Sequence, residues 1–154
     1  MNTLAPPRPT PSTGCHVCRI RLPMGAAAAA EARRQLRAAI DARDVHVDHD
    51  VAVLLTSDLV TNAVRHEAGE TVTLVITCSP GQLRVEVHGT STPPAQTGPP
   101  TDAEIWPGLI LVATLSDEWG FYRIPAGKVV FFTLFSALSS LHPEVPCTLR
   151  FPAR

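Results

Sequence analysis

Ser57-Asp58-Leu59-Val60-Thr61-Asn62-Ala63-Val64-Arg65-His66 sets a carboxylate and a carboxamide four residues apart within an otherwise apolar run. On a helix, positions i and i+4 are neighbours on one face. Asp58 and Asn62 would therefore present oxygen ligands and a general base to one small volume, an arrangement that suits a hard cation and the nucleotide it accompanies. Just upstream, Asp48 has N-cap chemistry and is followed by Val51, Leu54, Leu55, Leu59 and Ala63 at three- and four-residue steps. That spacing predicts a helix carrying the motif.

The flanking segments read as a layered α+β domain. Gly25 to Asp44 is Ala-rich, with Leu36, Ala39 and Ile40 on one side and Arg33, Arg34 and Arg37 on others, which predicts an amphipathic helix. Cys18 to Leu22 alternate as a short strand. After Gly69 the apolar period drops to two: Val72, Leu74, Ile76 and Cys78 alternate with Thr71, Thr73, Val75 and Thr77. Ser79-Pro80-Gly81 then turns the chain into Leu83, Val85 and Val87, alternating with Arg84, Glu86 and His88. The expectation is an antiparallel hairpin with one apolar and one polar face. Gly89 to Pro107 is proline-rich and reads as a long loop. Gly108 to Leu115 predicts a short helix, and Trp119 to Ile124 and Lys128 to Phe135 a second hairpin, with Trp119 in the core. Helices on one face of a mainly antiparallel sheet, a two-layer α/β sandwich, is the fold class these elements predict.

Composition narrows the function classes. The 154 residues are 45% hydrophobic and 18% charged, enough for one core with tails. The boundaries expected are a Pro-rich flexible tail over 1–17, the domain over 18–135 and a C-terminal extension over 136–154. A net charge of −1 argues against binding nucleic acid through bulk electrostatics. No stretch has signal-peptide character or approaches the roughly 20 apolar residues of a membrane helix. A cytoplasmic location is the expectation, with Cys15, Cys18, Cys78 and Cys147 as reduced thiols. Cys15-His16-Val17-Cys18 has the spacing of half a zinc site, but no second close pair completes it.

The order of the Asp58 to His66 helix, the Val72 to Val87 hairpin, the long loop, Gly108-Leu109-Ile110-Leu111-Val112, Trp119-Gly120 and Gly127-Lys128 resembles the GHKL superfamily of histidine-kinase-like ATPases. Within it the chain is most similar to short actinobacterial ATP-binding regulators related to anti-sigma-factor serine kinases. The resemblance covers about Arg19 to Phe135 and implies a Bergerat-type fold holding Mg-ATP. It implies Asp58 as catalytic base, where relatives usually have Glu, and Asn62 as the magnesium ligand. Arg65, Gly89, Gly108, Leu109 and Lys128 would contribute to nucleotide binding. Two open alternatives stand beside these roles: Arg65 and His66 as a solvated helix end with favourable charge, and Lys128 as a turn-flanking residue.

The chain also departs from the family pattern. Relatives place an adenine-binding Asp where Gly89 aligns, and a supporting Thr where Val129 follows Gly127-Lys128. Trp106-Pro107-Gly108 stands where a Gly-Arg-Gly approaches phosphate, and Pro107 removes an amide donor. The resemblance thus implies either of two functions. One is an ATP-binding regulator that holds a sigma factor or an anti-anti-sigma-like protein and phosphorylates the antagonist on serine or threonine. The other is a degenerate protein-binding module with weak or absent ATP binding. A homodimer is implied by resemblance alone.

Overall fold

The computed structural model describes residues 15–89 and 109–136. Among the described residues, alternating apolar positions build five strands: β1 (His16–Pro23), β2 (Thr71–Ser79), β3 (Gln82–Gly89), β4 (Glu118–Ile124) and β5 (Gly127–Phe135). They form one fully antiparallel sheet in the order β1-β2-β3-β5-β4. Three helices interleave with them, α1 (Ala28–Arg43), α2 (His49–His66) and α3 (Ile110–Leu115). The result is the expected α+β two-layer sandwich. Strand β1 starts at His16, two residues before the predicted start, because His16 and Val17 find partners in Cys78 and Thr77.

Local chemistry fixes the helix ends. Asp48 caps α2, its side chain accepting a hydrogen bond from the Val51 N–H at 3.0 Å. Helix α1 stops where Asp44 turns left-handed, at φ 53°, while its N–H donates to the Ile40 carbonyl. Ala28, Ala32, Leu36 and Ile40 repeat every fourth residue on the buried stripe of α1; α2 buries Ala52, Leu55, Leu59, Val60 and Ala63. These meet Val72, Leu74 and Ile76 of β2, Leu83, Val85 and Val87 of β3, and Val130 and Phe132 of β5 in one apolar core.

On the sheet one expectation holds and one fails. The hairpin has the expected apolar and polar faces, and the polar set of β3 is itself buried at its centre, Glu86 fully and His88 nearly so, on the face turned away from the helices. Neighbouring positions Val75, Thr77, Val129 and Thr133 on that face are buried too. Trp119 is 37% exposed and outside the core. It lies on the edge strand β4, and the helix packed against that strand is the six-residue α3, too short to cover it.

The cysteines also depart from expectation. Cys18 and Cys78 are free thiols, but Cys15 is disulfide-bonded, its partner lying outside the described residues. Burial pushes the Cys78 thiol up to about 11, so it is protonated and inert at neutral pH. Among the described residues, no group of three or more potential ligands gathers to hold a metal such as zinc. None of their helices is long and apolar enough to cross a membrane.

Candidate functional site

Helix α2 delivers Asp58 and Asn62 to the same place, as their spacing predicts. The Asn62 amide nitrogen donates to the Asp58 main-chain carbonyl at 2.7 Å and to Asp58 Oδ1 at 3.3 Å. Asn62 is almost wholly buried. With its nitrogen committed to the preceding turn, Oδ1 is the atom left to face a ligand. Asp58 Oδ2 is buried without a hydrogen-bond partner. Burial lifts the Asp58 carboxyl above the usual range, while the Asn62 amide and the charge of Arg65 pull the other way. A half-buried carboxylate with one unpaired oxygen and a raised proton affinity is chemically suited to accept a proton. The shorter Asp, tied back to Asn62, has less reach than a Glu at that position.

Arg65 and His66 lie in the last turn of α2, both exposed, where positive charge complements the helix dipole. Arg65 acts on the site through its charge, which pulls the Asp58 carboxyl down. Leu109 is buried and accepts from the Ala113 N–H at 3.0 Å, so it starts α3 as a packing residue. Gly108, with Trp106 and Pro107, lies outside the described residues.

Gly89 and Lys128 come together. They are cross-strand partners at the end of the β3–β5 ladder, on the helix-facing side shared with Val87 and Val130. Sequence reasoning missed what sits above them. Glu67, the C-cap of α2, turns its side chain inward; it is 2% exposed, and its Oε2 lies 3.7 Å from Lys128 Nζ. A Cβ on Gly89 would fall 2.1 Å from Glu67 Oε1 and 2.6 Å from its Cδ. The carboxylate thus occupies the space that any side chain at position 89 would need. A Glu after a helix end carries no sequence signal for this; the one available hint was the missing side chain at Gly89. Lys128 consequently belongs to this cluster and does more than flank a turn. Val129, which stands where relatives have the supporting Thr, pairs with His88 on the opposite face of the sheet.

The fold is shared with a solved protein. No family model matches the sequence, and no curated protein matches it. The crystal structure of the RsbU and RsbW domains of Rv1364c from Mycobacterium tuberculosis is similar, with a TM-score of 0.58 and 20% sequence identity. The match covers 77% of this chain and 32% of that one, so this chain spans about a third of its neighbour's length. At that identity the likeness is one of fold.

Proposed function

We propose that this protein is a regulator of the anti-sigma type, which acts by holding a sigma factor or an anti-anti-sigma-like antagonist and exchanging one for the other. Mg-ATP has a subordinate place in this reading and binds weakly on α2. The observation that carries it is α3, which exposes Ile110 (75%), Leu111 (41%) and Leu115 (40%) and buries Val112 against the core. Large apolar side chains clustered on one short helix are the kind of surface that a protein partner covers. The fold it shares with a protein containing an RsbW domain supports the same reading.

A second reading is favoured by the Asp58–Asn62 pair: ATP-dependent phosphorylation of the antagonist on serine or threonine. Asn62 Oδ1 would supply one oxygen to magnesium, a cation that keeps several waters and favours oxygen donors. Asp58 would take the proton of the attacking hydroxyl. Magnesium brings charge neutralisation to the phosphates when bound.

The test is titration of the purified full chain against purified sigma factors and anti-anti-sigma-like proteins, alongside Mg-ATP. The expected result is a specific complex with one of the proteins, weakened at least roughly tenfold by Leu111→Asp, with ATP binding in the high micromolar range or weaker. If no such protein binds, the regulatory reading fails. ATP binding near one micromolar, with an antagonist phosphorylated by the wild type and not by Asp58→Asn, would instead establish the kinase.

A further inference from the structure

We infer that the C-terminal extension, residues 137–154, is the cover of the sheet's reverse face and that a disulfide from Cys147 to Cys15 latches it there, so that reduction releases it. On that face Val75 and Val129 are wholly shielded from solvent, Thr77 and Thr133 are 1% exposed, and Glu86 is buried beside Val75. All three described helices bury their apolar residues on the opposite side. A sheet face left open to water has exposed side chains, so this one has a cover that is none of the described elements. The cover is dry. Thr77 Oγ1 and Thr133 Oγ1 are buried with no hydrogen-bond partner, which means that apolar side chains lie over them.

The cysteines identify the covering segment. Of the four, Cys18 and Cys78 are free and Cys15 is disulfide-bonded, which leaves Cys147 as its partner within the chain. The stretch between them is anchored at one end of the sheet. Cys15 precedes His16, which pairs with Cys78 of β2; Ser136 follows β5, and its N–H donates to the Gly81 carbonyl in the β2–β3 turn at 2.9 Å. In the order β1-β2-β3-β5, the path from Ser136 to Cys15 crosses three strand spacings, about 14 Å. Residues 137–146 reach about 35 Å when extended, so they have slack to arch over the sheet on the way. Helices α1 and α2 fill the other side. The extension also carries Leu138, Leu141, Val145, Leu149 and Phe151, the apolar side chains that a dry cover requires. Residues 1–14 have only Met1 and Leu4 as large aliphatic side chains, and 90–108 leaves from Gly89 at the opposite end of the sheet to reach α3 on the helix side.

Release is a two-electron reduction: a dithiol attacks the Cys15–Cys147 bond, both cysteines end as thiols, and the dithiol closes to its own disulfide. Without the bond, the extension loses the high effective concentration that the second tether gives it over the face. The experiment is hydroxyl-radical footprinting of the full chain, read by mass spectrometry at His88 and Phe131, with Trp119 on the β4 edge as the internal control. Oxidised wild type is compared with Cys147→Ser and Cys15→Ser, each first shown to be folded by circular dichroism. The expected result is a linked Cys15–Cys147 peptide in wild type, and labelling of His88 and Phe131 that rises roughly threefold or more in both variants while Trp119 stays constant. Should a serine variant fail to fold, wild type reduced with a dithiol, alkylated and freed of reductant gives the same comparison. Equally low labelling throughout would overturn release by reduction, and equally high labelling would overturn the cover itself. Absence of the linked peptide after oxidation with oxidised glutathione would overturn the latch.

Discussion

Toward the helices, β2 and β3 present Val72, Leu74 and Ile76 beside Leu83, Val85 and Val87; on the reverse they present Thr73, Val75 and Thr77 beside Arg84, Glu86 and His88. The first face is buried as an apolar core. The second is buried almost as deeply at its centre but stays polar. Its centre is Glu86. Arg84 Nε donates to Glu86 Oε2 at 2.8 Å, and His88 Nε2 lies 2.9 Å from Oε1. A carboxylate can only accept, so that histidine nitrogen carries the proton. Arg84 also stacks over Phe131, 3.8 Å from the ring centroid, with Tyr122 tilted against the same ring. Burial alone would raise the Glu86 carboxyl; the hydrogen bonds from His88 and Arg84 outweigh it and hold the group below its ordinary value. The neighbouring Tyr122 hydroxyl goes the other way, to about 12, through burial and repulsion from Glu86. The difference between the faces teaches that burial here is achieved by two chemistries: transfer of apolar surface on one side, and complete pairing of a charge on the other.

The largest expected effect belongs to the apolar face. Phe132 of β5, fully buried on the helix-facing side of the sheet beside Val85, should cost about 3–5 kcal/mol when replaced by Ala. Urea denaturation measures it, and a loss under about 1 kcal/mol would mean that this face is not the main core. On the polar face, Glu86→Gln should cost about 1.5–3 kcal/mol at neutral pH, since it keeps the shape and removes the charge. The sign with pH follows from the lowered carboxyl. Its contribution is complete above the unfolded-state value and disappears as pH falls through the folded-state value. Wild type should therefore lose stability in acid by more than Glu86→Gln does; parallel urea midpoints for the two proteins down the pH range would refute the assignment. The smallest effect is a gain. Thr77 Oγ1 is buried on the polar face with no hydrogen-bond partner. Thr77→Val removes that unpaired group and should stabilise by up to about 1 kcal/mol, read as a higher Tm. A loss there would show the hydroxyl to be satisfied after all.

Much of this fold is legible in the residues. Asp48 followed by apolar residues at three- and four-residue steps located α2 and its cap. The alternation from Val72 to Val87 located β2 and β3, and the glycine turn before Lys128 located the second hairpin. Alternation, however, reports which side chains share a face and not whether water reaches that face, so the burial of Glu86 and His88 stayed hidden. Trp119 looked like core because large aromatics usually are, whereas its exposure depends on strand order and on how short α3 is. Within the site, Asp58 and Asn62 could be read because their relation is local to one helix. Glu67, Gly89 and Lys128 could not, since three elements must be assembled before they meet. For the same reason the alignment of Val129 with a base-supporting Thr cannot be judged from sequence: only the β3–β5 register shows that Lys128 and not Val129 shares the helix-facing side with Val130.

The sheet order has a consequence for the time course of folding. Strands β2 and β3 are joined by a two-residue turn, and so are β4 and β5, so each hairpin can close over a short stretch of chain. The seam between them, where Gly89 meets Lys128, joins residues on either side of the 90–108 segment. Closing it gives up more chain entropy than either hairpin does. Half the sheet therefore has to find the other half by a long-range encounter, and the corner that carries Glu67, Gly89 and Lys128 exists only once that encounter has succeeded.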